Sequence, residues 1–76
     1  MRNVLVAIGN SGNAALAPEA ERLLDDASPL VRGAAVWALG RLDHKRLAAL
    51  AMERRARERE PLVADEWTAA LEAATA

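Results

Sequence analysis

Few residues of this chain could do chemistry, and their spacing decides what each can do. Gly9-Asn10-Ser11-Gly12 has the glycines of a phosphate-cradling loop. It lacks the preceding strand and the following Lys-Ser/Thr pair that such a loop requires, so it reads as an inter-helix turn. Asp25, Asp26 and Asp43 offer oxygen ligands to a hard cation. Their spacing matches no calcium loop, and Asp ahead of a helix is ordinary capping. His44 is the single His in a chain with no Cys, so neither a zinc site nor a catalytic dyad can be assembled, and it reads as a surface residue. No nucleophile is paired with a base. The chain by itself is not an enzyme.

Cations and aromatic rings are the remaining candidates. Residues 41–59 hold seven basic side chains against three acidic ones, a local +4 within a chain of net charge −1. Acidic segments flank it, with −3 over residues 14–31 and −4 from Glu60 onward. Clustered cations of this kind suit contact with nucleic-acid phosphates, although a solvated helix face is the simpler reading. The best phosphate contacts are Arg41, Lys45 and Arg46 at the turn after the third helix, together with Arg32; Arg54, Arg55 and Arg57 come second. Arg32 follows Asp26 by six residues, which suits an Asp-to-Arg bond linking successive structural units. Of the two Trp, Trp67 lies on a buried stripe and reads as core. Trp37 sits beside a stripe, where it can pack in the core or cover a groove or helix junction.

A period positions these residues. At a shift of 31, Ala7-Ile8-Gly9 falls on Ala38-Leu39-Gly40; at 32, Pro29-Leu30-Val31 falls on Pro61-Leu62-Val63 and Ala38-Leu39 on Ala70-Leu71. A repeat of about 30 residues, with small residues and Leu at helical spacing, signals stacked helix pairs, each burying its apolar face on a neighbour. The expected architecture is all-α, a short right-handed α-solenoid of about five helices. It forms one domain over residues 1–76, with units near 1–26, 27–58 and 59–76.

Five helices follow from local signals. Residues 2–9 read as the first, with Val4, Leu5 and Ile8 on one face. Residues 14–24 read as the second, with Leu16, Ala20, Leu23 and Leu24 inward and an irregular opening at Pro18. Ser28 caps the third and Pro29 takes its first position, where a missing N–H costs nothing; Val31, Ala34, Ala35, Ala38 and Leu42 keep the buried spacing. Asp43 caps the fourth, whose inward set is Leu47, Leu50 and Ala51. Glu60-Pro61 repeats the cap-then-Pro signal for the fifth, where Val63, Trp67, Ala70, Leu71 and Ala74 form an amphipathic stripe.

Composition bounds the rest. With 76 residues and no Cys, disulfides, iron–sulfur clusters and catalytic thiols within this chain are excluded. The 53 % apolar content is mostly Ala, Leu and Val, which suits close helix stacking. Gly9 to Gly12 ends the first apolar run too early for a signal peptide, and no membrane span is present, so a cytoplasmic setting is expected.

Two resemblances stand on these motifs. The unit Asp26-x-x-Pro29-x-Val31-Arg32-x-x-Ala35-x-x-Ala38-Leu39-Gly40 resembles a HEAT-like repeat of the phycocyanobilin-lyase type. Residues 2–12, 31–39 and 63–71 are similar, in order and spacing, to the C-terminal tail of epoxyqueuosine reductase, the cobalamin- and 4Fe–4S-dependent enzyme of queuosine synthesis in tRNA. The second resemblance implies a parent protein whose upstream catalytic domain holds both cofactors, none being held here. It also implies a role for this module in packing on that core and holding the tRNA anticodon arm. The competing reading is a generic HEAT-like scaffold that binds a protein partner. In the last unit Ala64 stands where Arg32 stands in the second, so a contact made by that Arg is not repeated.

Met1 occupies the position equivalent to Arg32, with no cap or Pro before it. The chain therefore reads as an excised C-terminal domain beginning inside a helix. Val4, Leu5 and Ile8 are expected to lie exposed at that end and to drive self-association.

Overall fold

Capping and proline chemistry set the helix starts. The computed structural model describes residues 1–73 and contains five α-helices and no strand among them. These are α1 (Arg2–Asn10), α2 (Ala17–Arg22), α3 (Pro29–Leu42), α4 (His44–Arg57) and α5 (Pro61–Ala73). Ser28 holds an extended conformation and its Oγ accepts the Val31 N–H, with Pro29 next in line. Asp43 Oδ1 accepts the Arg46 N–H at 3.1 Å and starts α4. The turns into α3 and α5 share one device at a shift of 32. Asp26 Oδ2 accepts the Ser28 N–H at 2.9 Å, and Glu58 Oε2 accepts the Glu60 N–H at 3.1 Å.

Residues 14–24 do not form one helix. A 3₁₀ turn at Ala14–Leu16 leads into α2, and a second at Leu23–Asp25 follows it. Pro18 has no N–H and fits only a first helical turn, so α2 cannot start earlier. The tighter turn at the other end lets the adjacent Leu23 and Leu24 both enter the core.

α1, α3 and α5 lie side by side with α3 in the middle, while α2 and α4 pack behind α3. The short dimension of the 29 × 27 × 17 Å molecule is two helix layers thick. This is a short all-α solenoid of helix pairs. Because α3 is surrounded, its apolar residues do not form one stripe. Val31, Ala35, Val36, Ala38 and Leu39 are all buried, whereas Ala34 and Leu42 are only half-buried. Leu5, Val36, Leu39, Leu47 and Val63 are fully enclosed, and each stabilises the fold by about 2 kcal/mol relative to exposure. Trp67 is core as expected, Leu50, Ala70 and Leu71 pack against the core half-buried, and Ala74 lies outside the described residues.

The expectation of an exposed Val4, Leu5 and Ile8 face is corrected. Leu5 and Ile8 are buried in the common core, and α1 packs along α3. Val4 alone of the three is exposed, at 52 %, because among the described residues α1 packs chiefly on α3 and Val4 is not on that face.

Candidate functional site

The small residues of the α1–α3–α5 layer let its helices approach closely and leave two adjoining clefts over α3. The first, about 530 Å³, is lined by the small Gly33 and Ala34, the apolar Val6, Leu30 and Leu62, and the charged Arg2 and Glu60. Leu30 and Leu62 are 68 % and 76 % exposed, an unusual state for two adjacent large apolar side chains. The second, about 410 Å³, continues along α3 past Gly40 to Arg41 and His44. Trp37 and Glu66 line both clefts and separate them.

Trp37 is half-buried at this junction. A Cβ on Gly9 would come within 2.4 Å of its ring, so only glycine lets α1 close on it. The Arg41 guanidinium lies 5.3 Å from the ring centroid, and Arg41 Nε donates to the Gly9 carbonyl at 3.1 Å. A cation thus meets the last turn of α1, where the helix dipole favours it. His44, expected at the surface, is half-buried, and its Nε2 is shielded from solvent without a hydrogen-bond partner. Asp43 and Arg41 hold the α3–α4 corner that places it there.

The seven cations singled out by sequence do not form one surface. Arg32 sits near the start of α3 and Arg41 nine residues later, about 13 Å along the axis. Grouping Arg32 with Arg41, Lys45 and Arg46 is therefore corrected. The antiparallel α3–α4 pair brings Arg32 beside Arg54, Arg57 and Arg59, around a polar groove of about 510 Å³. Most of these charges are tied down. Arg32 Nε and Nη2 donate to both Glu58 oxygens at 3.0 Å, and its Nη1 donates to the carbonyls of Asp26 and Ala27. The expected Asp26-to-Arg32 link is thus to the Asp26 backbone, and the carboxylate partner is Glu58. Arg46 donates to both oxygens of Glu21 at 2.7 and 2.8 Å, Arg54 pairs with Asp25, and Arg57 lies 3.6 Å from Glu53. Arg55 donates to Thr68 Oγ1. Lys45 is exposed and pairs with no carboxylate among the described residues.

Hydrogen bonds from Arg32 hold the Glu58 carboxyl below the usual carboxylate range, against the opposing pull of burial; those from Arg46 do the same for Glu21. Asp25 and Asp26 are committed to Arg54 and Ser28, and among the described residues no group of three His, Cys, Asp or Glu could hold a metal ion. The glycine-containing turn after α1 satisfies itself. Ser11 Oγ donates to the Ile8 carbonyl and accepts the Asn13 N–H, Asn13 caps the next turn, and Gly12 takes φ 67°.

Stacked helix pairs, equivalent turns before α3 and α5, and an Arg bridging those turns are the marks of one repeat class. The family pattern for HEAT repeats matches residues 2–72. The chain belongs to the HEAT-repeat family. No curated protein and no solved structure matches it. HEAT arrays are non-catalytic interaction scaffolds whose stacked helices present extended binding faces. No helix among the described residues is long and apolar enough to cross a membrane. Glu66 escaped sequence reasoning because it flanks a buried stripe as any surface Glu would. The available signal was that its equivalent at a shift of 32 is the small Ala34.

Proposed function

We propose that this HEAT array is the non-catalytic C-terminal module of a tRNA-modifying epoxyqueuosine reductase. In that protein it would pack on the iron–sulfur and cobalamin core and help hold the tRNA anticodon arm in the cytoplasm. One observation carries the reading. The three segments that resemble that family, residues 2–12, 31–39 and 63–71, coincide with α1, α3 and α5 and so lie side by side in one layer. In this reading the units 1–26, 27–58 and 59–76 form a single domain. The chain has no Cys to hold an iron–sulfur cluster, so in this reading the cluster belongs to the upstream domain, where the resemblance also puts the cobalamin. Arg41 and Lys45, the cations at the α3–α4 corner without a carboxylate partner among the described residues, are the leading phosphate contacts. Arg32, Arg46, Arg54, Arg55 and Arg57 follow. Titration of a labelled tRNA anticodon stem–loop against the chain tests this. Weak, salt-dependent binding that Lys45→Ala reduces supports it, and absence of binding overturns the RNA role.

A second reading, a scaffold for a protein partner, is favoured by the apolar cleft between Val6, Leu30 and Leu62. Capture of a helical peptide there, with no affinity for the stem–loop, would select it.

A further inference from the structure

We infer that the outer face of the α1–α3–α5 layer is a docking surface for α4 of a second copy of this chain, so that copies stack front to back. The inference is independent of the RNA reading. Its two halves lie on opposite sides of the molecule, since α4 packs behind the layer whose outer face carries the larger cleft.

The back half is the outer stripe of α4. Lys45, Ala48, Ala49, Met52, Arg55 and Ala56 fall on one side of the helix and are all exposed. Met52, at 87 %, is the most exposed large apolar side chain among the described residues. Its small Ala neighbours leave it standing as a knob, with Lys45 toward one end of the stripe and Arg55 toward the other. A flexible thioether in this position suits an irregular apolar gap. The front half supplies that gap, the cleft of about 530 Å³ lined by Val6, Leu30 and Leu62, in which Gly33 and Ala34 add little bulk. Leu30 and Leu62 are equivalent at a shift of 32, and both stay exposed.

Charge decides which surfaces meet. α4 holds five cations against Glu53 alone, whereas α5 holds three carboxylates and no cation. Glu60 and Glu66 line the front cleft, and neither joins a salt bridge among the described residues. Arg2 is the one cation lining that cleft, and α3 lies between its helix and α5. Arg46, Arg54 and Arg57 pair with carboxylates of their own chain. Lys45 pairs with none among the described residues, and Arg55 donates to the neutral Thr68. These last two are the cations on the Met52 stripe. Apolar surface and opposite charge therefore coincide on the two halves.

Front against front would set carboxylates together, and α4 against α4 would set cations together. The contact is thus heterologous and repeats in one direction, giving open stacks rather than closed dimers. The layer spans 29 × 27 Å, which limits the contact to about 800 Å² per copy, the size of a standard specific interface. One helix covers only part of it, so association is weak and reversible.

The experiment is sedimentation velocity from about 10 µM to about 1 mM, the range suited to a weak contact. Average mass should climb with concentration and return to that of a single chain in high salt. Met52→Glu blocks the back and Leu62→Arg blocks the front. Both positions are exposed, so each variant should keep the wild-type Tm. Each alone should associate about tenfold more weakly or not at all. Mixed in equal amounts they should associate again, because an intact front then meets an intact back. A chain that stays single at every concentration overturns the proposal, and binding of a cationic helical peptide at Leu62 would then assign the cleft to another protein. Association that salt leaves unchanged, or that both variants retain, places the contact on another surface such as Met1 and Val4 of α1 and overturns it too. So does a mixture no more associated than either variant alone.

Discussion

Arg32 grips Glu58 across 26 residues of sequence with two parallel N–H bonds of 3.0 Å, while its remaining Nη1 holds the carbonyls of Asp26 and Ala27. One guanidinium therefore joins the turn that opens α3 to the turn that opens α5. The pair is well shielded, with side-chain exposures of 21 % for Arg32 and 9 % for Glu58. Arg32→Ala would strand a nearly buried carboxylate and two carbonyls. We expect a loss of about 2 kcal/mol, read as a drop of roughly 10 °C in Tm. The double variant Arg32→Ala/Glu58→Ala should cost less than the sum of the two single variants. Additive effects in thermal melts would show that the bridge carries no coupling.

The same bridge sets an acid limit. The Glu58 carboxyl is held below its ordinary value of 4.5 in the folded state. A depressed folded value means that the stabilisation is complete above the unfolded value and is lost as pH falls from about 4.5 through the folded value. Glu21, held down by Arg46, adds destabilisation in the same direction. Melting temperature should fall steeply below pH 4.5, and Arg32→Ala should flatten that dependence. An equally steep profile in the variant would place the acid sensitivity elsewhere.

One substitution type should have opposite signs at two glycines of this layer. Both Gly9 and Gly33 are helical, so alanine gains about 0.5–1 kcal/mol of intrinsic preference at each. At Gly33 the new Cβ would sit at an ordinary 3.5 Å from Glu66 Cγ, so the gain should be kept. At Gly9 it would lie 2.4 Å from Trp37 Cζ3, and pushing the ring out should cost about 1–3 kcal/mol. Thermal melts should show Gly33→Ala stabilised and Gly9→Ala destabilised, the latter with a shifted Trp fluorescence maximum. Equal signs would contradict the packing described for Trp37.

What sequence disclosed was local or periodic. Ser28-Pro29 and Asp43 act at short range, so the starts of α3 and α4 were readable from neighbouring residues. The shifts of 31 and 32 placed α1, α3 and α5 in one layer because equivalent helices of a repeat array stack. Effects that depend on which neighbour is present were not readable. Val4 and Ala35 are equivalent in the repeat, yet Ala35 is buried within the array and Val4 faces outward at its edge. Arg32 chose Glu58 over Asp26 through the spatial stacking of turns that sequence separates by 26 positions. Glu66 and His44 gained their environment from the α3–α5 and α3–α4 packing, which no spacing within one helix encodes.

Neighbouring cations at the α3–α4 corner should separate RNA binding from stability. Arg46 is held by two bonds to Glu21 on α2, so reaching a phosphate would require breaking them. Lys45, the adjacent residue, is exposed and pairs with no carboxylate among the described residues. Removing one cation that neutralises a phosphate lowers the salt slope of binding by about one unit. With the anticodon stem–loop as probe, Lys45→Ala should reduce that slope by about one and leave Tm unchanged. Arg46→Ala should lower Tm by roughly 2–4 °C, since an exposed pair contributes about 0.5 kcal/mol, and should change the slope less. On the far end of α4 the same logic ranks Arg55, which donates to the neutral Thr68, above Arg54, which pairs with Asp25. Should Arg46→Ala reduce the slope as much as Lys45→Ala, the Glu21 pair opens on binding, and carboxylate pairing no longer decides which cations meet RNA.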